Sequence, residues 1–507
     1  MNKFLNKTKE LLSTENSFSA ALTALVLAVV TVVNVLLYVL VSNYGLYLRT
    51  VEGSDLSLSG ATDALFANVG DDEEVTVIFC QSKDEMEAHE TGLFVHETAL
   101  AFAQRYDFIN VEYVNIITKR DSKGNRVDVD KFVTDKDGNV GSLYPTSVIF
   151  TNGTNHHVVT DYSTSAGYSD FFTLNSGMKI TSYNGEETMA AMISRVISTE
   201  PQKTVYFTLY HDETADLAFY NLMICAGYNV AMIDLRTTEV PEDAAMLVIS
   251  NPIHDFERAA DGSGIRTELE RIESYLEGGG RLYVALDPIA KPLPELEKTL
   301  SGYGITLETS KDGDGTAVRH IIRDEFSART PDGFTLVVDF AGGTEFSDSV
   351  RGRIEGFGEK VLLEDAAVLR LDSAKGAEAL LIASGNAEAY TGDTRVSAEG
   401  GYCVAATAPV YGEDAVGRVF VTSSVYLTAA DALTMNGYSN KNFVFSVIEE
   451  MTGAEMLPYN CRAVLYDTET LQSLVMGTAK IYTAFIMAIP AVVAVVGAVV
   501  IIRRKNR

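Results

Sequence analysis

Cysteine is scarce. The 507 residues contain four, at 80, 225, 403 and 461. No two are close enough for a C-x-x-C pair, so a cysteine metal site is not indicated. They read as small buried apolar residues, although disulfides outside the cytoplasm stay open, since spacing gives no connectivity. No GxxxxGK[ST] phosphate loop occurs, which argues against nucleotide binding. No Gly-x-Ser/Cys-x-Gly elbow occurs between a strand and a helix, so a hydrolase would lack its usual nucleophile. "DSKGNR" and "DKDGN" carry glycine at the fourth position rather than the sixth of a calcium loop, and are read as hairpin tips.

Charge is also missing from two long runs. Phe18–Val41 and Ile481–Ile502 contain no Asp, Glu, Lys or Arg. Each reaches the roughly 20 residues a helix needs to cross a bilayer. The first run exceeds the roughly 7–15 apolar residues of a signal peptide core. Lys3, Lys7 and Lys9 precede it, and "RRKNR" follows the second. The positive flanks predict two anchors, 18–42 and 481–502, in a cell membrane, with tails 1–17 and 503–507 both cytoplasmic. Taking +1 for residues 1–42 and +4 for 481–507 from the whole-chain charge of −29 leaves −34 on 43–480. Such a domain repels nucleic acid and anionic lipid headgroups.

Between the anchors the pattern alternates strands and helices. Val75–Phe79 reads as a strand, Phe94–Gln104 as a helix, and "TSVIFTNGTNHHVVT" as two strands around Asn152-Gly153. A helix over Glu186–Thr199 and Pro201 close a first α/β unit, 43–200. A second, 201–330, is clearer. Strands at 204–210, 229–235, 244–250 and 281–287 alternate with helices at 214–228 and 265–277. That alternation predicts a doubly wound parallel sheet. Residues 331–470 read as a β-rich part in which 417–428 and a helix at 442–453 complete the second sheet from a distance.

"YLEGGGRLYVALDP" tests the remaining phosphate reading. Phosphate glycines open a helix after a strand. Gly278–Gly280 instead close a helix and lead into a strand, so they read as a helix C-cap and turn. The candidate binding residues are those at the strand ends: His211, Asp212, Glu213, Asn251 and Asp287. An acid–base or metal cluster there competes with a plain reading in which Asp212 or Glu213 serves the start of the next helix and Asp287-Pro288 makes a turn. Asp287 is then the member expected to matter most for stability. His156 and His157 lie near a turn with no ligand set and read as surface residues.

Four stretches carry a family resemblance: "DLSLSGATDALFANV", "VYFTLYHDE", "DAAMLVISNP" and "YLEGGGRLYVALDP", with "GRVFVTSSVYL" and "NKNFVFSVIEEMTG" as a closing segment. In this order they resemble the GldG-like auxiliary proteins of ABC transport systems. Tyr210 and Asp212 stand where that family tends to have glycine, and Ser424-Val425 where it often has Ser-Asp. The resemblance implies an amidotransferase-like central domain without catalytic apparatus. It also implies an accessory role beside separate ATPase and permease chains, with no cofactor. The alternative is a membrane-tethered hydrolase or carbohydrate-binding enzyme using His211, Glu213 and Asp287.

Overall fold

The computed structural model describes residues 56–465 apart from short internal stretches, the longest being 164–169, 260–265 and 327–332. Both predicted anchors lie outside the described residues. Among the described residues no helix is long and apolar enough to cross a membrane.

Helix α1 (Ala61–Phe66) starts the domain, its Ala61 N–H donating to Ser59 Oγ at 3.2 Å. Strand β1 (Val75–Phe79) is followed by α2 (Lys83–Ala88) and α3 (Glu90–Arg105), and then by β2 (Ile109–Asn115), which pairs parallel to β1. Short β3 (Arg120–Asp121) and the hairpin β4 (Val148–Thr151) and β5 (His156–Val159) complete a sheet in the order β3-β2-β1-β4-β5. The hairpin turns through Gly153, at φ +89°, where an L side chain is strained. Strands β6 (Phe172–Leu174) and β7 (Ile180–Tyr183) lead into α4 (Gly185–Ile197). Twelve of the thirteen residues of α4 are buried.

The second region holds β8 (Thr204–Thr208), α5 (Leu217–Cys225), β9 (Asn229–Ile233), β10 (Ala244–Ser250), α6 (Glu268–Glu277) and β11 (Arg281–Ala285). Strand β10 is apolar from Ala245 to Ile249 and buried on both faces, as a central parallel strand requires. Helix α6 turns Leu269, Ile272 and Leu276 to one apolar cluster, while Phe219, Leu222 and Met223 of α5 join another. Their strand neighbours divide likewise, Val248 and Tyr283 with α5, Leu247 and Val284 with α6, so the helices cover opposite faces of the sheet.

Beyond β11 come α7 (Pro294–Gly302), β12 (Ile305–Leu307), the hairpin β13 (Thr309–Lys311) with β14 (Ala317–Arg319), β15 (Ile321–Arg323), β16 (Thr335–Phe340), α8 (Glu345–Ile354), β17 (Lys360–Glu364), β18 (Leu369–Leu371) and β19 (Glu378–Ile382). Strand β20 (Glu388–Thr391) pairs with β15 and with β21 (Thr394–Ser397), and β22 (Cys403–Tyr411) and β23 (Val416–Thr422) form a long hairpin. Helices α9 (Ala430–Thr434) and α10 (Asn440–Thr452) and strand β24 (Val464–Leu465) follow.

The large sheet runs β17-β16-β19-β22-β23-β11-β10-β8-β9. Strands β9, β8, β10, β11 and β23 are parallel, with Arg281 opposite Arg418 where β23 joins β11. From β22 outward the pairing is antiparallel. The expectation that 417–428 returns to this sheet is met. One mixed sheet thus draws strands from 201–330 and from 331–470, and one apolar cluster runs from Phe66 to Leu457. The described domain is a mixed α/β unit.

Local boundaries moved where a cap decided them. The helix expected at 214–228 begins at Leu217, because Asp216 accepts from Ala218 N–H at 3.0 Å. Neither Asp212 nor Glu213 serves it. The helix expected at 265–277 begins at Glu268, where the Glu270 carboxylate returns to Thr267 N–H at 2.8 Å. His157 is half-buried rather than a plain surface residue. Its burial pushes the imidazole down to about 3. All four cysteines are buried free thiols.

The three glycines form a turn. Gly278, Gly279 and Gly280 donate to Ser274 O, Leu276 O and Tyr275 O. Gly279 has φ +91°, and a Cβ on Gly280 would meet the Tyr275 ring at 2.5 Å. The carbonyls of the turn face a cation: Arg281 donates to the oxygens of Gly279, Gly280 and Val416. A phosphate cradle needs converging N–H groups, and here the N–H groups are spent on the helix end.

Candidate site at the strand ends

The parallel strands reverse direction of travel between β8 and β10. From β8 the chain steps outward to β9, then crosses back to β10 on the other side. The carboxyl ends of those strands flank the point where an open α/β sheet leaves a crevice. His211 follows β8 and is 5% exposed. Its ring lies flat on Phe256, 3.8 Å between centroids and 12° between planes.

Both imidazole nitrogens face carboxylates. Nδ1 is 3.2 Å from Glu213 Oε1, and Nε2 is 3.1 Å from Glu268 Oε2. Burial lowers the His211 pKa, but the hydrogen bonds to Glu213 and Glu268 outweigh it and carry it up to about 9. The ring is therefore an imidazolium at neutral pH. Burial raises the Glu213 carboxyl, and its bond to His211 with its backbone bonds brings it below the ordinary carboxylate value. One of those bonds is from His211 N–H at 2.6 Å. Glu268 is 2% exposed at the first position of α6, where the helix dipole favours an anion. Its Oε2 also accepts from Glu257 N–H at 2.9 Å, while its Oε1 has no partner. Two buried carboxyl groups thus flank one buried imidazole, one on each ring nitrogen.

The other candidates do not join this cluster. The Asp212 carboxylate is 72% exposed and pairs with His254 Nε2 at 2.9 Å. Asn251 donates to Thr214 Oγ1 at 2.7 Å, and Ser250 Oγ to Thr214 O at 3.0 Å, which lace the loops after β8 and β10 together. Asp287 accepts from Ile289 N–H at 2.8 Å in a turn. The loop after it is held from the far side by Arg319, 2% exposed, which donates to Asp287 O and Ala290 O and pairs with Glu297 at 2.6 Å. His211 and Glu213 are buried and ionic, whereas the Asp287 carboxylate makes one turn bond.

Glu268, Phe256, Arg319 and Glu297 were not found from sequence. Thr267-Glu268-Leu269-Glu270 has the spacing of a capping box, which places Glu268 on the first helical turn. Nothing local pairs it with His211, 57 residues away.

Strain gathers at the same edge. Tyr210, Asp212 and Asn251 have φ of +81°, +53° and +51°. An L residue there costs of order 1 kcal/mol. Tyr210 is also 60% exposed, under the Arg236 guanidinium at 3.6 Å. Arg236 is in turn fixed by Asp234 at 2.9 and 3.1 Å. Glycine would be the unstrained choice at positions 210 and 212.

Hydroxyls at the neighbouring strand end are committed. Ser423 Oγ donates to Ala367 O and Ser424 Oγ to Glu364 O, each at 2.6 Å. Cys225 ends α5, and burial raises its thiol pKa well above the ordinary value. Among the described residues no group of three His, Cys, Asp or Glu side chains could hold a metal ion.

No protein-family model matches the chain, and no curated protein matches it. Solved structures are similar over about half of it. The N-terminal domain of mmIFT52 is 16% identical, covering 49% of this chain and 97% of that one, with a TM-score of 0.36. A ThuA-like protein from Bacteroides uniformis is 10% identical over 51% and 97%, with a TM-score of 0.32. PurLQS from Thermotoga maritima is 11% identical over 49% and 98%, with a TM-score of 0.30.

Proposed function

We propose that this protein is a membrane-anchored accessory subunit of an ABC-type transport system. Its domain, held outside the cytoplasm between two anchors, binds or presents and does not catalyse. In this reading its central part is a doubly wound, amidotransferase-like domain that has lost its catalytic groups. The observation that carries the non-catalytic part is the state of His211. A general base needs a free nitrogen facing a nucleophile. Both nitrogens of His211 are taken by Glu213 and Glu268, and its raised pKa holds the proton on the ring.

The hydrolase alternative requires His211, Glu213 and Asp287 to act together. Asp287 is committed to its turn, and the nearby Ser423 and Ser424 donate to backbone. In this reading the ATPase is a separate chain, since no GxxxxGK[ST] loop occurs in these residues. Isolation of the full-length protein from its native membrane tests the reading. The expected result is co-purification with an ATPase and a multi-span permease, retained in Glu213→Gln. Recovery without either chain, or turnover of an ester, amide or glycoside that vanishes in Glu213→Gln with folding kept, overturns it.

A further inference from the structure

The first turn of α4 meets both ends of the described domain. Glu186 and Glu187 stand side by side there, 8% and 7% exposed. Both lie at the positive end of the helix. Glu186 Oε1 accepts from Ser59 N–H at 2.8 Å and from Ser59 Oγ–H at 2.7 Å, on the segment that leads into the domain. Burial raises the Glu186 carboxyl above its ordinary value, against the two Ser59 bonds, which lower it. Glu187 pairs with Lys441 of α10, and Lys441 Nζ also donates to Cys461 O at 2.8 Å. The outgoing chain then pairs with β7, Val464 opposite Tyr183 and Leu465 opposite Ser182, directly before α4 begins. Asn442 of α10 accepts from Asn460 N–H at 2.8 Å.

We propose that this turn is a clasp, in which Glu186 and Glu187 couple the incoming and outgoing segments so that neither opens without the other. The two adjacent carboxylates reach residue 59 directly and residue 461 through Lys441, about 400 positions apart in the chain. Charge-assisted bonds to a buried acceptor are strong, and the loss of any donor leaves buried charge less compensated. The rest of α4 extends the coupling inward. Its buried residues Met189, Ile193 and Val196 share one apolar cluster with Val77 of β1, Phe150 of β4 and Met223 of α5. Displacement of either end is therefore passed to the first sheet and to the helix layer of the second. This inference stands on contacts within the domain and does not require the transport reading.

The incoming segment has a second fastening that bypasses the clasp. Arg105 donates to Leu58 O at 3.0 Å and pairs with Asp63. That contact supplies the control. Hydrogen exchange of the full-length protein is measured by mass spectrometry for wild type, Ser59→Ala, Glu186→Ala and Arg105→Ala. Ser59→Ala removes one hydroxyl from a partly buried site, so it keeps the experiment informative if Glu186→Ala fails to fold. The expected result for Ser59→Ala is faster exchange by about tenfold at residues 57–62 and also at 460–465. Arg105→Ala should accelerate 57–63 and leave 460–465 at the wild-type rate. Acceleration in Ser59→Ala confined to 57–62, or absent from both segments, overturns the clasp. So does equal acceleration of 460–465 in Arg105→Ala, because the two ends would then be coupled by the whole domain rather than by Glu186 and Glu187.

Discussion

Replacing His211 by glutamine should remove a pH-dependent part of the stability. The His211 pKa is about 9 in the folded protein against 6.5 for an ordinary histidine. The folded state keeps a proton that the unfolded state gives up. The contribution is therefore complete below about pH 6.5, declines as pH rises, and is lost above about pH 9. At about 1.4 kcal/mol per pH unit, that interval is worth about 3 kcal/mol. Glutamine can still donate to one carboxylate but has no charge to titrate. At pH 6 the variant should be less stable by about 3–5 kcal/mol, because Glu213 and Glu268 then face each other without their cation. Urea unfolding followed by circular dichroism at pH 6, 7.5 and 9.5 gives the difference between the two proteins directly. Burial holds His96 at about 4 and His157 at about 3. Both titrate in acid in each protein, so they cancel. The gap should shrink by about 3 kcal/mol between pH 6 and 9.5. A gap that stays constant would refute the reasoning, since it would mean that His211 is neutral and the two glutamates share a proton.

Arg319→Met should cost about 3–5 kcal/mol in chemical denaturation, because it removes a buried cation from half-buried Glu297 and frees the carbonyls of the 287–291 loop. Gly279→Ala should lower stability by about 1–2 kcal/mol and Gly278→Ala by much less, since only Gly279 has positive φ, and a Cβ there meets Ala415 at 3.1 Å. Equal melting temperatures for these two variants would contradict the turn assignment. Asp212→Gly should be neutral or stabilising by up to about 1 kcal/mol, because it relieves φ +53° and loses only an exposed pair with His254. A calorimetric loss larger than that would show that the Asp212 carboxylate has a structural partner in solution.

The alternation of apolar runs with capped helices was legible in the chain itself. Strand β10 reads as a buried strand because five successive apolar residues leave no polar face. The glycines after α6 read as a turn because they follow a helix instead of opening one. The long uncharged runs at 18–41 and 481–502 are equally plain in sequence, and they lie outside the described residues. Helix starts were placed less well, since one carboxylate decides them: Asp216 rather than Asp212 begins α5.

The chemistry of the candidate site was not legible in the same way. His211 and Glu213 were visible as neighbours, but the residue that completes the cluster, Glu268, arrives from the next helix on the far side of β10. An ionised group inside a protein is governed by what surrounds it, and a pKa near 9 needs two carboxylates that outweigh the cost of burial. Arg319 shows the same division. Nothing in its neighbouring residues marks it as buried, and only its contacts with the 287–291 loop place it beside Glu297. Periodicity and caps act over a few residues, so the sequence by itself determined the elements and their order. Coulomb and desolvation effects act over a few ångströms in space, so only the tertiary structure decided which of those elements share a charge, and whether His211 is a base or a buried cation.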